Sequence, residues 1–224
     1  MENVKQFVID YVEGKINSDT FLKQFKEDLS VGEWLQKNLV FEGETKPLYI
    51  FDQDYHVIRE EKVPYNIKNS IDKILQEPGH SVLGRKLNVF SLVSGRMIKA
   101  FPLLNLIPDT TIEEEYDFML NACPDYLDSV EINAAGIFEN LMEQFPKSMP
   151  KTKRIKEFRK CLKEMFYVEG QKYPRWIQES EWPLSKTGKP TKFLRQKSVC
   201  KGEACYYYFQ DMDTGEEIEV MQAY

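Results

Sequence analysis

Histidine is almost missing from this chain: there are two among 224 residues, His56 and His80. Activating a serine or cysteine nucleophile usually requires a nearby imidazole. His56 falls in a predicted hairpin and His80 follows a Pro-Gly turn, so neither sits in a catalytic motif. The sequence also has no G-x-S-x-G, no P-loop, no H-E-x-x-H and no dinucleotide fingerprint. Gly84-Arg85 and Gly95-Arg96 are lone pairs without phosphate-loop spacing. Long apolar runs are missing too. The longest candidate, Ala100 to Ile107, is interrupted by Pro102 and Asn105, well short of the ~20 residues that cross a bilayer. The opening residues Met1-Glu2-Asn3-Val4-Lys5 lack an apolar export region. The expectation is a cytoplasmic protein with no membrane partner.

Cysteine is scarce, with Cys123, Cys161, Cys200 and Cys205. Without an export signal they are expected as free thiols. Cys123 and Cys161 lie among apolar residues and read as small core hydrophobes. Cys200 and Cys205 form a C-x4-C pair, but zinc needs about four ligands and the histidines lie far away in sequence. They read as ordinary hairpin residues. Neither a metal nor a cofactor is expected.

What the chain does contain is enough apolar residue, 42%, to bury a core of one large domain or two small ones. Charged residues are 29%, which argues against general disorder. The net charge of −6 is unevenly spread. Residues 151–201 hold 15 Lys or Arg against 5 Asp or Glu, leaving −16 on the remainder. A basic segment on an acidic body can meet an anionic partner. The preferred reading is a solvated face.

Periodicity predicts about seven helices up to residue 166. Val4, Phe7, Val8, Tyr11 and Val12 form one amphipathic stripe, stopped by Gly14. Ser18 is expected to cap a second helix. Ser30-x-x-Glu33 has the form of a capping box before Trp34 and Leu35. Leu48–Phe51 and Val57-Ile58 read as strands around a turn at Asp52–Tyr55. Pro64 is expected to open a helix carrying Ile67, Ile71 and Ile74, and Ser81–Phe101 to form a buried helix. Glu113–Glu115 suit the first turn of the next helix, capped by Thr110 or Thr111. Asp128–Phe145 reads as a further helix. Lys151–Phe166 reads as a basic amphipathic one whose Ile155, Phe158, Leu162, Met165 and Phe166 pack inward. Tyr206 to Tyr224 reads as a hairpin turning at Asp213-Thr214-Gly215-Glu216.

The most distinctive stretch is Pro174-Arg175-Trp176-Ile177-Gln178-Glu179-Ser180-Glu181-Trp182-Pro183, continuing to Phe193-Leu194-Arg195-Gln196. Its prolines keep the backbone extended. Trp176 and Trp182, six positions apart, then share one side of the chain. They can plug the protein's own interior, the preferred reading, or face a partner with Arg175, Gln178, Glu181 and Gln196. Nothing in the sequence marks a particular pair of catalytic carboxylates, though Glu179 and Glu181 fall at this distinctive segment.

The string W-I-Q-x-x-E-W-P…G-K-P…F-L-x-Q, followed by Y-x-F-x-D-x-x-T-G-E, resembles the C-terminal region of bacterial proteins grouped with the immunity proteins of polymorphic toxin systems. It is also loosely similar to the YwqG-like and programmed-cell-death-2-like modules. Those often carry C-x-x-C where this chain has Ser185-Lys186-Thr187-Gly188, so no zinc knuckle is implied. The resemblance covers roughly the last fifty residues. It implies protein binding without catalysis, including toxin neutralisation.

The sequence therefore predicts an α+β fold: a mainly helical region over 1–166 and a Trp/Pro-rich β module over 167–224, possible within one continuous domain. The expected partner is another protein. An enzyme with a carboxylate site near Glu179 and Glu181, and nucleic-acid binding through 151–201, are the alternatives.

Overall fold

The computed structural model describes residues 2–224, apart from the side chains of Glu2 and Cys200. Among them the chain forms nine α-helices, all before residue 166, and five strands. The architecture is α+β, with a small three-stranded antiparallel sheet at the C-terminus. The chain divides into two units, residues 1–76 with 86–111 and residues 77–85 with 112–224.

The first unit begins with α1 (Glu2–Val12), α2 (Ser18–Glu27) and α3 (Leu29–Leu39). Two cap positions differ from expectation by one or two residues. Asn17, not Ser18, accepts from Thr20 N–H at 2.9 Å. Asp28, not Ser30, starts α3, accepting from Ser30 N–H at 2.9 Å. In both cases the preceding Asx side chain reaches the free amides first. Tyr11 stacks on Phe21, ring centres 3.9 Å apart, and meets Phe90 edge-on.

Next come β1 (Thr45–Phe51) and β2 (Val57–Pro64), an antiparallel ribbon pairing Leu48 with Glu61 and Tyr49 with Glu60. Its turn is held by Asp52, which accepts from the N–H groups of Asp54 and His56. Leu48, Tyr49, Phe51, Tyr55, Val57 and Ile58 are all exposed on this ribbon. Pro64 ends β2 instead of opening a helix, since its fixed φ suits an extended strand end. Asn66 then accepts from Asn69 N–H at the start of α4 (Ile67–Gln76). The expected buried helix is α5 (Val82–Ala100), of which residues 86–100 belong to this unit. It is buried on one face only, through Val89, Phe90, Val93 and Met97.

Arg96 on α5 ties down the residue before the ribbon. Its guanidinium meets both Glu44 oxygens at 2.6 and 3.0 Å, reaches Leu39 O at 2.8 Å, and lies over the Tyr65 ring. Hydrogen bonds from Arg96 are the main reason the Glu44 carboxyl titrates at about 2 rather than 4.5. A depressed carboxyl stabilises the fold above its unfolded value, and that contribution disappears as pH falls through the folded one. Glu44→Gln is therefore expected to melt below wild type at pH 7. The gap should close between pH 4.5 and about 2, measured as a thermal midpoint against pH.

The second unit contains α6 (Thr111–Ala122) from residue 112 onward, α7 (Val130–Ala135), α8 (Ile137–Met142) and α9 (Lys151–Met165). The single helix expected over Asp128–Phe145 is broken at Gly136, whose φ of +65° terminates α7 with Cα in the left-handed region. The sheet is β3 (Lys192–Val199), β4 (Ala204–Gln210) and β5 (Glu217–Ala223), in that order. Asp211, buried, fixes the β4–β5 turn by accepting from Asp213 and Thr214 N–H groups. Alternation on β4 sends Cys205, Tyr207 and Phe209 inward. They join Phe118, Phe138, Phe158, Leu162, Phe166, Trp182 and Phe193 in one core. On α9, Phe158 and Leu162 are buried as expected, with Phe166 just after it.

Candidate binding cleft beside Trp176

Residues 174–191 run without regular strand pairing, and side-chain contacts hold them in place instead. Arg175 N–H donates to Gln196 Oε1 at 2.9 Å, while Arg175 O accepts from the Tyr207 hydroxyl at 2.9 Å. Gln222, 2% exposed, accepts from the N–H groups of Ile177 and Gln178 and donates to Glu179 O at 2.7 Å. Gln178 Nε2 donates to Ala223 O at 2.6 Å. Ser180 Oγ donates to Tyr126 O. Backbone groups that a strand would have satisfied by pairing are thus satisfied by glutamine, tyrosine and serine side chains.

Both tryptophans reach Phe209, at 5.9 and 5.2 Å between ring centres, although the backbone between them bends at 177–179. Their exposures differ. Trp182 is 0% exposed, donates from Nε1 to Thr191 O at 3.2 Å and meets Phe166 edge-on. It plugs the core and offers no surface to a partner. Trp176 is only half-buried, donating from Nε1 to Tyr126 O at 3.1 Å with its ring against Tyr207. Gln196 is committed to the Arg175 amide. Arg175 and Glu181 are exposed, and Glu181 does not line the cleft described next.

Trp176 forms one wall of a cleft of about 620 Å3. Tyr126, Gln178 and Ser180 contribute to it, and the exposed carboxylates of Asp125, Asp128 and Glu179 border it. Asn133 Nδ2 donates to Asp128 Oδ1 at 2.8 Å, orienting that carboxylate. Tyr126 stacks on Tyr173 at 4.2 Å, and burial raises its hydroxyl pKa. Three carboxylates beside an indole and a phenol ring form a cation-attracting site: the charges draw a guanidinium or ammonium, and the ring faces hold it. Among the described residues no group of three or more His, Cys, Asp or Glu is placed to hold a metal. Cys123, Cys161 and Cys205 are free thiols, and burial pushes that of Cys123 up. The side chain of Cys200, and with it the C-x4-C pair, lies outside the described residues.

Sequence reading found Trp176, Gln178 and Glu179 but missed Asp125, Tyr126, Asp128 and Gln222. A signal for Gln222 existed. Ile218, Val220 and Gln222 alternate along one face of β5, so a polar group was bound to point inward there. Asp125 to Asp128 sit in a short turn between helices, and nothing local links that turn to residue 176.

Comparison with protein-family models, with curated proteins and with solved structures returns no match. The cleft therefore stands on its own geometry. Among the described residues no helix is long and apolar enough to cross a membrane.

Proposed function

We propose that this chain is a non-catalytic protein-binding protein, of the toxin-neutralising or regulatory kind, and that it receives a basic side chain of its partner beside Trp176. The observation that carries this is the acid-bordered, aromatic-walled cleft. The sequence around it adds long-range attraction: from Asp109 to Glu143 there are ten Asp or Glu and no Lys or Arg. Such an imbalance speeds encounter with a basic protein, a nuclease for example. The likeness of the last fifty residues to immunity-type bacterial proteins points the same way. Against a carboxylate enzyme, Asp125, Asp128 and Glu179 are all exposed. A general acid working near neutral pH needs shelter from water.

Tryptophan fluorescence tests the reading directly, because Trp34 and Trp182 are 7% and 0% exposed and Trp176 is the accessible reporter. Titration with an arginine-rich peptide is expected to change the emission saturably. Asp125→Asn with Asp128→Asn should weaken binding about tenfold, or ~1.4 kcal/mol, and Trp176→Phe should abolish the signal. Equal affinity in the double variant would overturn the proposal. Neutralisation is tested by co-expressing the chain with a toxin-like reading frame adjacent to its gene, where rescue of growth is expected to require Asp125 and Asp128.

A further inference from the structure

Helix α9 ends on a residue that works against the fold. Val168 N–H donates to Lys163 O at 2.7 Å and Tyr167 N–H donates to Glu164 O at 3.2 Å. These paired bonds end a helix through one residue in the left-handed conformation, a place usually taken by glycine. Here it is Tyr167, at φ 55°, where a Cβ crowds the backbone. The ring gives little back to the core, since Tyr167 is 41% exposed. It lies instead on the floor of a groove of about 900 Å3 along α9, together with Ile155 and Val168.

The groove's border is basic. Lys156, Arg159, Lys160 and Lys163 line it. Arg159 is spent on the carbonyl oxygens of Ala122 and Asn121, and Lys160 faces Glu164 at 3.9 Å. Lys156 and Lys163 make no ion pair among the described residues. An apolar floor with free ammonium groups above it is complementary to an apolar side chain flanked by carboxylates. Phosphate alone is a poorer match, because it would pair with the lysines but leave Ile155, Tyr167 and Val168 uncovered.

We propose that this groove docks an acidic amphipathic segment of a partner protein. One apolar side chain packs on Ile155, Tyr167 and Val168, and carboxylates pair with Lys156 and Lys163. The left-handed tyrosine is retained for its ring. This site is separate from the cleft beside Trp176 and prefers the opposite charge, so each can fail without the other.

The test is fluorescence anisotropy with a labelled helical peptide carrying Glu and Leu at i, i+4 spacing, on the full chain. Labelled single-stranded DNA and phosphatidylserine-containing vesicles serve as competing ligands. Saturable peptide binding is expected, reduced about tenfold in Lys156→Glu with Lys163→Glu, both on the exposed rim. Tyr167→Gly is expected to weaken the peptide while leaving the melting temperature unchanged or higher. The proposal is overturned by absent peptide binding, by DNA or vesicles binding more tightly than peptide, or by affinity indifferent to the lysines. A clear fall in the melting temperature of Tyr167→Gly would likewise overturn it, since the ring would then serve the fold.

Discussion

Replacing Trp182 with alanine is expected to destabilise the second unit by about 3–5 kcal/mol, the cost of emptying a large, fully buried aromatic site. The indole contacts Tyr126, Phe166, Phe193 and Phe209. These rings come from the helical part, from β3 and from β4, so no single neighbour can collapse into the space. Truncation also leaves Thr191 O without its donor, a further penalty for a buried carbonyl. Urea unfolding followed by circular dichroism should show the midpoint falling sharply. Trp182→Phe should fall less, because it keeps the apolar contacts and loses the hydrogen bond. Trp176→Ala, cut from a half-buried position, should be the mildest of the three. If Trp182→Ala and Trp176→Ala cost the same, the assignment of one ring to the core and the other to the cleft is wrong.

Arg154→Met is expected to cost a similar amount, about 3–5 kcal/mol. Arg154 is 7% exposed, and each of its three guanidinium nitrogens donates a hydrogen bond. It donates to Phe145 O at 3.0 Å and to both Glu115 oxygens at 3.0 and 2.7 Å, and it lies 3.9 Å above the Phe118 ring. Methionine fills much of the space but leaves Phe145 O without its donor and the half-buried Glu115 carboxylate with only Lys147, at 3.5 Å, as its ion partner. Combining Arg154→Met with Glu115→Leu should recover part of the loss, because the penalty lies mainly in the stranded charge. The pH dependence gives an independent check. Burial opposes ionisation of Glu115, but the hydrogen bonds and charge of Arg154 outweigh it and lower the carboxyl pKa below 4.5. The pair therefore stabilises the fold at neutral pH, and the advantage fades as pH falls below 4.5 and Glu115 takes up its proton. Wild type and Arg154→Met should differ most near pH 7 and converge in acid.

Arg154 also shows where reading a sequence stops. Glu113 to Glu115 read well as acids at a helix start, and Lys151 to Phe166 reads as a basic helix with a solvated back. That Glu115 and Arg154 meet inside the protein is a property of the tertiary fold, 39 residues apart. Elements with a strong period were legible: α1, α9 and the β4–β5 hairpin appear where the apolar spacing puts them. The misplacements were of one kind, competition between neighbouring signals. Asn17 and Asp28 cap ahead of Ser18 and Ser30, Pro64 closes a strand, and Gly136 cuts an otherwise continuous helical pattern.

The candidate cleft was half legible for the same reason. Trp176, Gln178 and Glu179 stood out because tryptophan and proline are locally conspicuous. Their counterparts Asp125, Tyr126 and Asp128 belong to an unremarkable turn fifty residues earlier, joined to Trp176 by one hydrogen bond from its indole to Tyr126 O. The Trp/Pro segment is thus both parts of what its composition suggested: a plug at Trp182, and a cleft wall at Trp176. One side chain stabilises the unit, and the other remains accessible to a ligand.

Amide hydrogen exchange with and without an arginine-rich peptide tests whether a basic ligand seats beside Trp176. Added protection is expected in two stretches, 125–133 and 174–180, and should be lost in the Asp125→Asn, Asp128→Asn variant. Protection confined to the exposed β1–β2 ribbon, or unchanged by those substitutions, would contradict that seating.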